Sequence, residues 1–122
     1  MHEMSPGCGF MYPFGTKIYN KLIDLVRDQY RYRGFKEVLS PNVFNVRLWK
    51  TSGDFNHSKA DFFLFKTDDA TNALKPMNGP AHCVMYGSEM RSFRDLPIRL
   101  ADFGVLHKAV NDLEGLKKTR RS

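Results

Sequence analysis

Thr16-Lys17-Ile18-Tyr19-Asn20-Lys21-Leu22-Ile23-Asp24-Leu25-Val26-Arg27-Asp28-Gln29-Tyr30-Arg31-Tyr32-Arg33-Gly34-Phe35-Lys36-Glu37-Val38-Leu39-Ser40-Pro41 is a helix followed by a strand. Ile18, Leu22, Leu25, Val26 and Tyr30 recur at helical spacing, which predicts an amphipathic helix over 16–33. Thr16 is the expected N-cap, and Gly34 the glycine that ends the helix just after Arg31 and Arg33, whose charge suits a helix C-terminus. The next six residues, 35–40, read as a short strand that stops at Pro41, because proline donates no ladder hydrogen bond.

Further along, Val46 to Thr51 is expected to form one or two helical turns ended by Gly53. Phe62-Phe63-Leu64-Phe65 reads as a buried strand, with a second short strand at Ala73-Leu74-Lys75. Pro80 to Arg91 is a third helix, with Pro80 suited to the first turn and Cys83, Val84 and Tyr86 available to the core. Ile98 to Leu106 carries a strand signal. Three helices and four strands with no linker predict an α+β fold in a single domain.

A chain of 122 residues has room for one ordinary domain, which excludes a multidomain enzyme. Its 42% apolar and 26% charged residues exclude a disordered tail. Lys and Arg outnumber Asp and Glu 19 to 13, a formal charge of +6 that favours anionic partners. Cys8 and Cys83 make at most one disulfide, so no cysteine-stapled secreted scaffold is expected. No apolar run reaches the ~20 residues of a membrane span, and Met1 to Gly9 lack the character of a signal peptide. The expected protein is soluble, with no membrane partner.

Single motifs say little. Gly7 and Gly9 lack the spacing of a phosphate loop and are read as turn glycines. His82 and Cys83, with His57 or His107, lack metal-ligand spacing. Lys117-Lys118-Thr119-Arg120-Arg121 is either a phosphate-binding patch or a solvated C-terminus.

Longer phrases say more. Gly34 to Asn45, then Leu48-Trp49-Lys50-Thr51-Ser52-Gly53, then Leu74-Lys75-Pro76-Met77-Asn78, then Leu96 to His107 stand in an order and spacing that resemble the catalytic domain of threonyl-tRNA synthetases. The likeness runs from about Gly7 to His107. It implies a partial class II aminoacyl-tRNA synthetase catalytic domain, an antiparallel sheet flanked by helices, filling residues 1–122. Motif 1 is then about 16–41 and the first half of motif 2 about 98–110, with the returning strand of motif 2 expected to be absent. The resemblance implies dimerisation through motif 1, at Phe35, Val38 and Pro41. It also implies threonine activation by ATP, acyl transfer to tRNA(Thr), a zinc ion that recognises threonine, and a cytoplasmic location, with the mitochondrion also compatible with the family.

Several site positions depart from the family. The zinc cysteine of Met-Asn-Cys-Pro-Gly-His is replaced in Met77-Asn78-Gly79-Pro80-Ala81-His82, and Gly79 offers no side-chain ligand, so zinc is not expected to bind. The motif 2 phrase Leu-His-Arg-Asn-Glu reads Leu106-His107-Lys108-Ala109-Val110. Lys108 keeps the charge of the phosphate-gripping arginine without its bidentate fork, and Val110 lacks the adenine-contacting carboxylate. Lys118 and Arg120 are the other expected ATP contacts, and Ser-Gly-His-Trp has become Ser52-Gly53-Asp54-Phe55. Losing one preorganised donor costs on the order of 10²–10³ in rate. The expectation is therefore a fragment of a threonine–tRNA ligase, inactive alone. The alternative is a non-catalytic dimerisation or interaction module, a homodimer or a partner of a full-length synthetase.

Overall fold

The computed structural model describes residues 2–5, 7–53, 61–111 and 117–121, with side chains described up to 109. In chain order the elements are α1 (Pro13–Tyr32), β1 (Lys36–Val38), β2 (Val43–Asn45), α2 (Arg47–Ser52), β3 (Leu64–Thr67), β4 (Ala70–Leu74), α3 (Gly79–Gly87), a 3₁₀ turn (Phe93–Asp95), β5 (Leu100–Asp102), β6 (His107–Asn111) and β7 (Lys117–Arg121).

Helix α1 begins one turn before the expected cap. Pro13 at its first position has φ preset for a helix and lacks only an N–H that has no partner there anyway. Thr16 lies inside the helix, its hydroxyl donating to Met11 O at 3.1 Å. At the other end Gly34 has φ +80°, a conformation that suits glycine, and the chain turns into β1 as expected. The apolar stripe does not form a core. No residue of α1 is fully buried, and Ile18, Leu22 and Leu25 are each more than half exposed.

The strands form three small sheets. β1 and β5 pair in parallel, Lys36 opposite Leu100 and Val38 opposite Asp102. β2, β4 and β3 form an antiparallel sheet in that spatial order, and β6 and β7 an antiparallel pair. The strands are thus mixed, not purely antiparallel. Two expectations need correction. A strand stands where none was expected, because Lys117–Arg121 pairs with His107–Asn111; five basic and polar residues carry no apolar alternation and read as either a phosphate-binding patch or a solvated C-terminus. The expected buried strand at 62–65 instead runs Leu64–Thr67 and is exposed throughout, since it is the edge of its sheet.

Among the described residues one hydrophobic cluster is buried. Trp49 is fully shielded, its ring 5.2 Å from that of Phe62 and 6.3 Å from that of Phe44, with Val46 and Ala73 completing the cluster. Edge-to-face pairs of this kind are worth about 0.5–1.5 kcal/mol beyond the burial of their area. Helix α3 ends at Gly87, short of the expected Arg91, and its buried residues are Pro80 and Ala81. Cys83, Val84 and Tyr86, expected at the core, are exposed because the helix turns its N-terminal corner inward.

Candidate functional site

Where the three sheets meet stands one residue, Lys75, immediately after β4. Its backbone N–H donates to Asn42 O at 2.9 Å and its carbonyl accepts from His107 N at 3.0 Å. Its side chain has no exposed surface. Nζ donates to Ser40 Oγ at 2.9 Å and Ser40 O at 3.2 Å, and lies 3.8 Å from Asp102 Oδ2. Ser40 follows β1, Asp102 closes β5 and His107 opens β6, so this lysine joins every sheet.

Asp102 is as shielded as Lys75. A buried carboxylate is tolerated only when paired and hydrogen-bonded, and this one is both. It accepts from Ser40 Oγ at 2.5 Å, Ser40 N at 3.1 Å and Gly104 N at 2.7 Å. Burial pushes its carboxyl up, yet the bonds from Ser40 and Gly104 and the charge of Lys75 outweigh it and hold the group below the ordinary carboxylate value. His82 of α3 brings Nε2 to 3.5 Å from Asp102 Oδ2, within ion-pair range but without hydrogen-bond geometry.

Beside this cluster opens a cavity of about 790 Å³, walled by Gly7, Tyr19, Ile23, Asn78, Asp102 and Gly104 among others. Asn78 Oδ1 is buried without a hydrogen-bond partner. Arg27 of α1 grips Glu37 of β1 through two bonds, 2.8 and 3.0 Å, with its guanidinium 5.0 Å from the ring centre of Phe103, the residue after Asp102.

The expected site residues fall in several places. Lys108 is exposed on β6, 3.4 Å from Asp61. The hairpin register sets Lys108 opposite Arg120 and Val110 opposite Lys118, so strand alternation puts positions 108, 110, 118 and 120 on one face. Phe35 and Val38 are half-buried, Phe35 packing on Tyr30 at 4.9 Å, while Pro41 is exposed. Positions 54–60, which include His57 and the Asp54-Phe55 pair, lie outside the described residues. Gly79, at the position where the resemblance implies a zinc cysteine, carries no side-chain donor, and among the described residues no group of three His, Cys, Asp or Glu could hold a metal ion.

Sequence reasoning missed Lys75, Asp102 and Ser40 as a unit. The signal was a lysine between Leu74 and Pro76 and a carboxylate inside the mostly apolar Ile98–Leu106 run.

No protein-family model matches the chain. Over 98% of its length it is 52% identical to human threonine–tRNA ligase 1, cytoplasmic, and 50% identical to the probable threonine–tRNA ligase 2, cytoplasmic, of Dictyostelium discoideum. These similar proteins are threonine–tRNA ligases. The chain spans only 17–18% of the length of these ligases. It also superposes on the RNA binding domain of threonyl-tRNA synthetase from Cryptosporidium parvum Iowa II, with a TM-score of 0.88 and 47% identity, covering 98% of this chain and 30% of that one. A Giardia lamblia prolyl-tRNA synthetase solved with prolyl-adenylate shares the fold at TM-score 0.81 and 21% identity, over 98% of this chain and 26% of that one. The cytoplasmic location expected from the sequence agrees with the compartment named for the human and Dictyostelium ligases.

Proposed function

We propose that this chain is the motif 1 and motif 2 part of a class II threonine–tRNA ligase catalytic domain, and that by itself it supplies scaffold without catalysis. The observation that carries the reading is the contrast between two sets of residues. The joint of Lys75, Asp102 and Ser40 is shielded and fully hydrogen-bonded, whereas the position expected to hold zinc has no ligand atom. The hairpin keeps three cationic positions, 108, 118 and 120, on one face, where phosphates of ATP or of tRNA would neutralise them. A lysine at 108 gives charge without the two parallel bonds of an arginine.

The surface supports an interaction role. A compact 14.1 kDa protein exposes about 6,700 Å², whereas this chain exposes 9620 Å². Part of the excess is apolar and lies on α1, where Phe14, Ile18, Leu22 and Leu25 are each more than half exposed. A face of this kind marks an interaction site. The partner that fits the reading is a second copy of the motif 1 region, from this chain or from a full-length synthetase.

Two measurements test the proposal. Threonine-dependent ATP–pyrophosphate exchange by the purified chain should not rise above the blank; turnover at a rate typical of a ligase would overturn the non-catalytic part. Size-exclusion chromatography with light scattering, alone and with a full-length threonyl-tRNA synthetase, should give a compact dimer or a stable mixed complex. Aggregate or expanded monomer in both runs would overturn the interaction part.

A further inference from the structure

We infer that Lys75 and Asp102 are positioning residues: their shielded pair anchors the start of the 76–82 segment through hydrogen bonds and stands against its last residue, and so sets where Asn78 and the first turn of α3 stand. The inference rests on the reading above, in which this segment lines the site of a ligase. Lys75 is the residue before the segment and His82 its last, and both side chains come to the same oxygen. Asp102 Oδ2 lies 3.8 Å from Lys75 Nζ and 3.5 Å from His82 Nε2. The lysine end is held three ways, through its N–H on Asn42, its carbonyl on His107 and its ammonium on Ser40.

Stability alone does not call for such a pair. Two apolar residues of similar volume are often as stabilising as a buried ion pair, or more so. What the polar residues add is direction, since the bonds that Lys75 donates to Ser40 and that Asp102 accepts from Ser40 and Gly104 each fix an atom at an angle as well as a distance. The glycine at 104 belongs to the same device, because any Cβ there would stand 2.8 Å from both Lys75 Nζ and Asp102 Oδ1. Between the two ends lies Asn78, whose buried Oδ1 has no hydrogen-bond partner among the described residues, which leaves it able to accept from a bound molecule.

Amide hydrogen exchange on the full chain separates positioning from general stability. The His82 amide, which donates to Asn78 O at 3.0 Å, reports the start of α3. The Lys50 amide, which donates to Val46 O at 3.0 Å, reports the Trp49 cluster. In Asp102→Asn and in Gly104→Ala the His82 amide should exchange on the order of tenfold faster relative to Lys50. In the Lys75→Met/Asp102→Leu double variant, urea stability should recover while that excess persists. Equal acceleration of both amides in the two single variants would overturn the inference, as would a His82 amide unprotected in the wild-type chain. If the double variant fails to fold, the single variants decide. Pyrophosphate exchange is not part of this readout, so the staple and the ligase reading can fail separately.

Discussion

The missing side chain at position 104 makes the room that Lys75 occupies, for a Cβ on Gly104 would stand 2.8 Å from Lys75 Nζ. The same Cβ would meet Asp102 Oδ1 at 2.8 Å, and that oxygen is already tied to the Gly104 N–H. Both atoms are side-chain ends, but Lys75 Nζ is tied to Ser40 and Asp102 to Ser40 and Gly104, so a retreat by either breaks a shielded hydrogen bond. Gly104→Ala should therefore cost about 1–3 kcal/mol, the range of an overpacked core, read as a lower urea midpoint. Gly9→Ala is the control: its added methyl meets nothing within 4 Å and should leave the midpoint in place.

Acid should unfold the chain through Asp102. Its carboxyl is held below the ordinary value of about 3.8 despite burial, by bonds from Ser40 and Gly104 and by the charge of Lys75. A depressed carboxyl contributes stability that is complete above the unfolded-state value and is lost as pH falls through the folded-state value. Urea midpoints of wild type and Asp102→Asn should thus differ by a constant amount from pH 7 to about pH 5, then converge below about pH 4. At neutral pH the variant should lose about 3 kcal/mol, since it leaves Lys75 shielded without its anion. A gap that persists unchanged to pH 2 would place the stabilising carboxylate elsewhere.

How far the sequence reached depends on what each signal measures. Periodicity found α1, β1, α2 and α3 because each is a local pattern, and Gly34 was legible because its positive φ is a single-residue demand. Periodicity gave a direction to the stripe of Ile18, Leu22 and Leu25 but no partner, and among the described residues nothing covers it. The returning strand at Lys117–Arg121 was illegible because register, not apolar alternation, holds it to β6. Lys75 and Asp102 lie 27 residues apart, and only the tertiary joint of three sheets brings them together. Single-residue rules see an exposed charge at each.

Arg27 should not be replaceable by lysine. It uses the planar fork on Glu37, with Nε to Oε2 at 2.8 Å and Nη2 to Oε1 at 3.0 Å, while its flat face lies 5.0 Å from the centre of Phe103. An ammonium makes one such bond at a time and does not stack. Arg27→Lys should lower Tm, and Arg27→Lys with Glu37→Gln should lower it little further, because the two residues act as a pair. A Tm for Arg27→Lys equal to that of wild type would show that the fork is unused.

Gly79→Cys tests whether the zinc position can be restored. A Cβ at 79 meets nothing within 4 Å, and the residue opens α3, so the variant should fold with stability changed by no more than about 0.3 kcal/mol, the gap in helix propensity between glycine and cysteine. It should still not hold zinc. Before the substitution the described residues hold no group of three His, Cys, Asp or Glu, and the His82 and Asp102 side chains that a thiol at 79 would have to recruit already stand at the Lys75 joint, whereas a metal site needs at least three protein ligands. Metal analysis after dialysis should find well under one zinc per chain; a stoichiometric ion would overturn the expectation.

The exposed stripe on α1 inverts the usual ranking of core and surface. Leu22 is 57% exposed and Leu25 58%, while Trp49 is 0% exposed. Leu22→Lys and Leu25→Lys should then change stability by no more than about 0.5 kcal/mol, as surface substitutions do. Trp49→Ala should cost about 3–5 kcal/mol, since it removes the ring that Phe44 and Phe62 pack against. Urea unfolding of the three variants at low protein concentration makes the comparison. A large cost for Leu22→Lys would mean that the stripe is covered in solution. Light scattering on the wild-type chain across a dilution series would then show a dimer that dissociates as its stability falls, because a partner that binds only the folded state stabilises it by mass action.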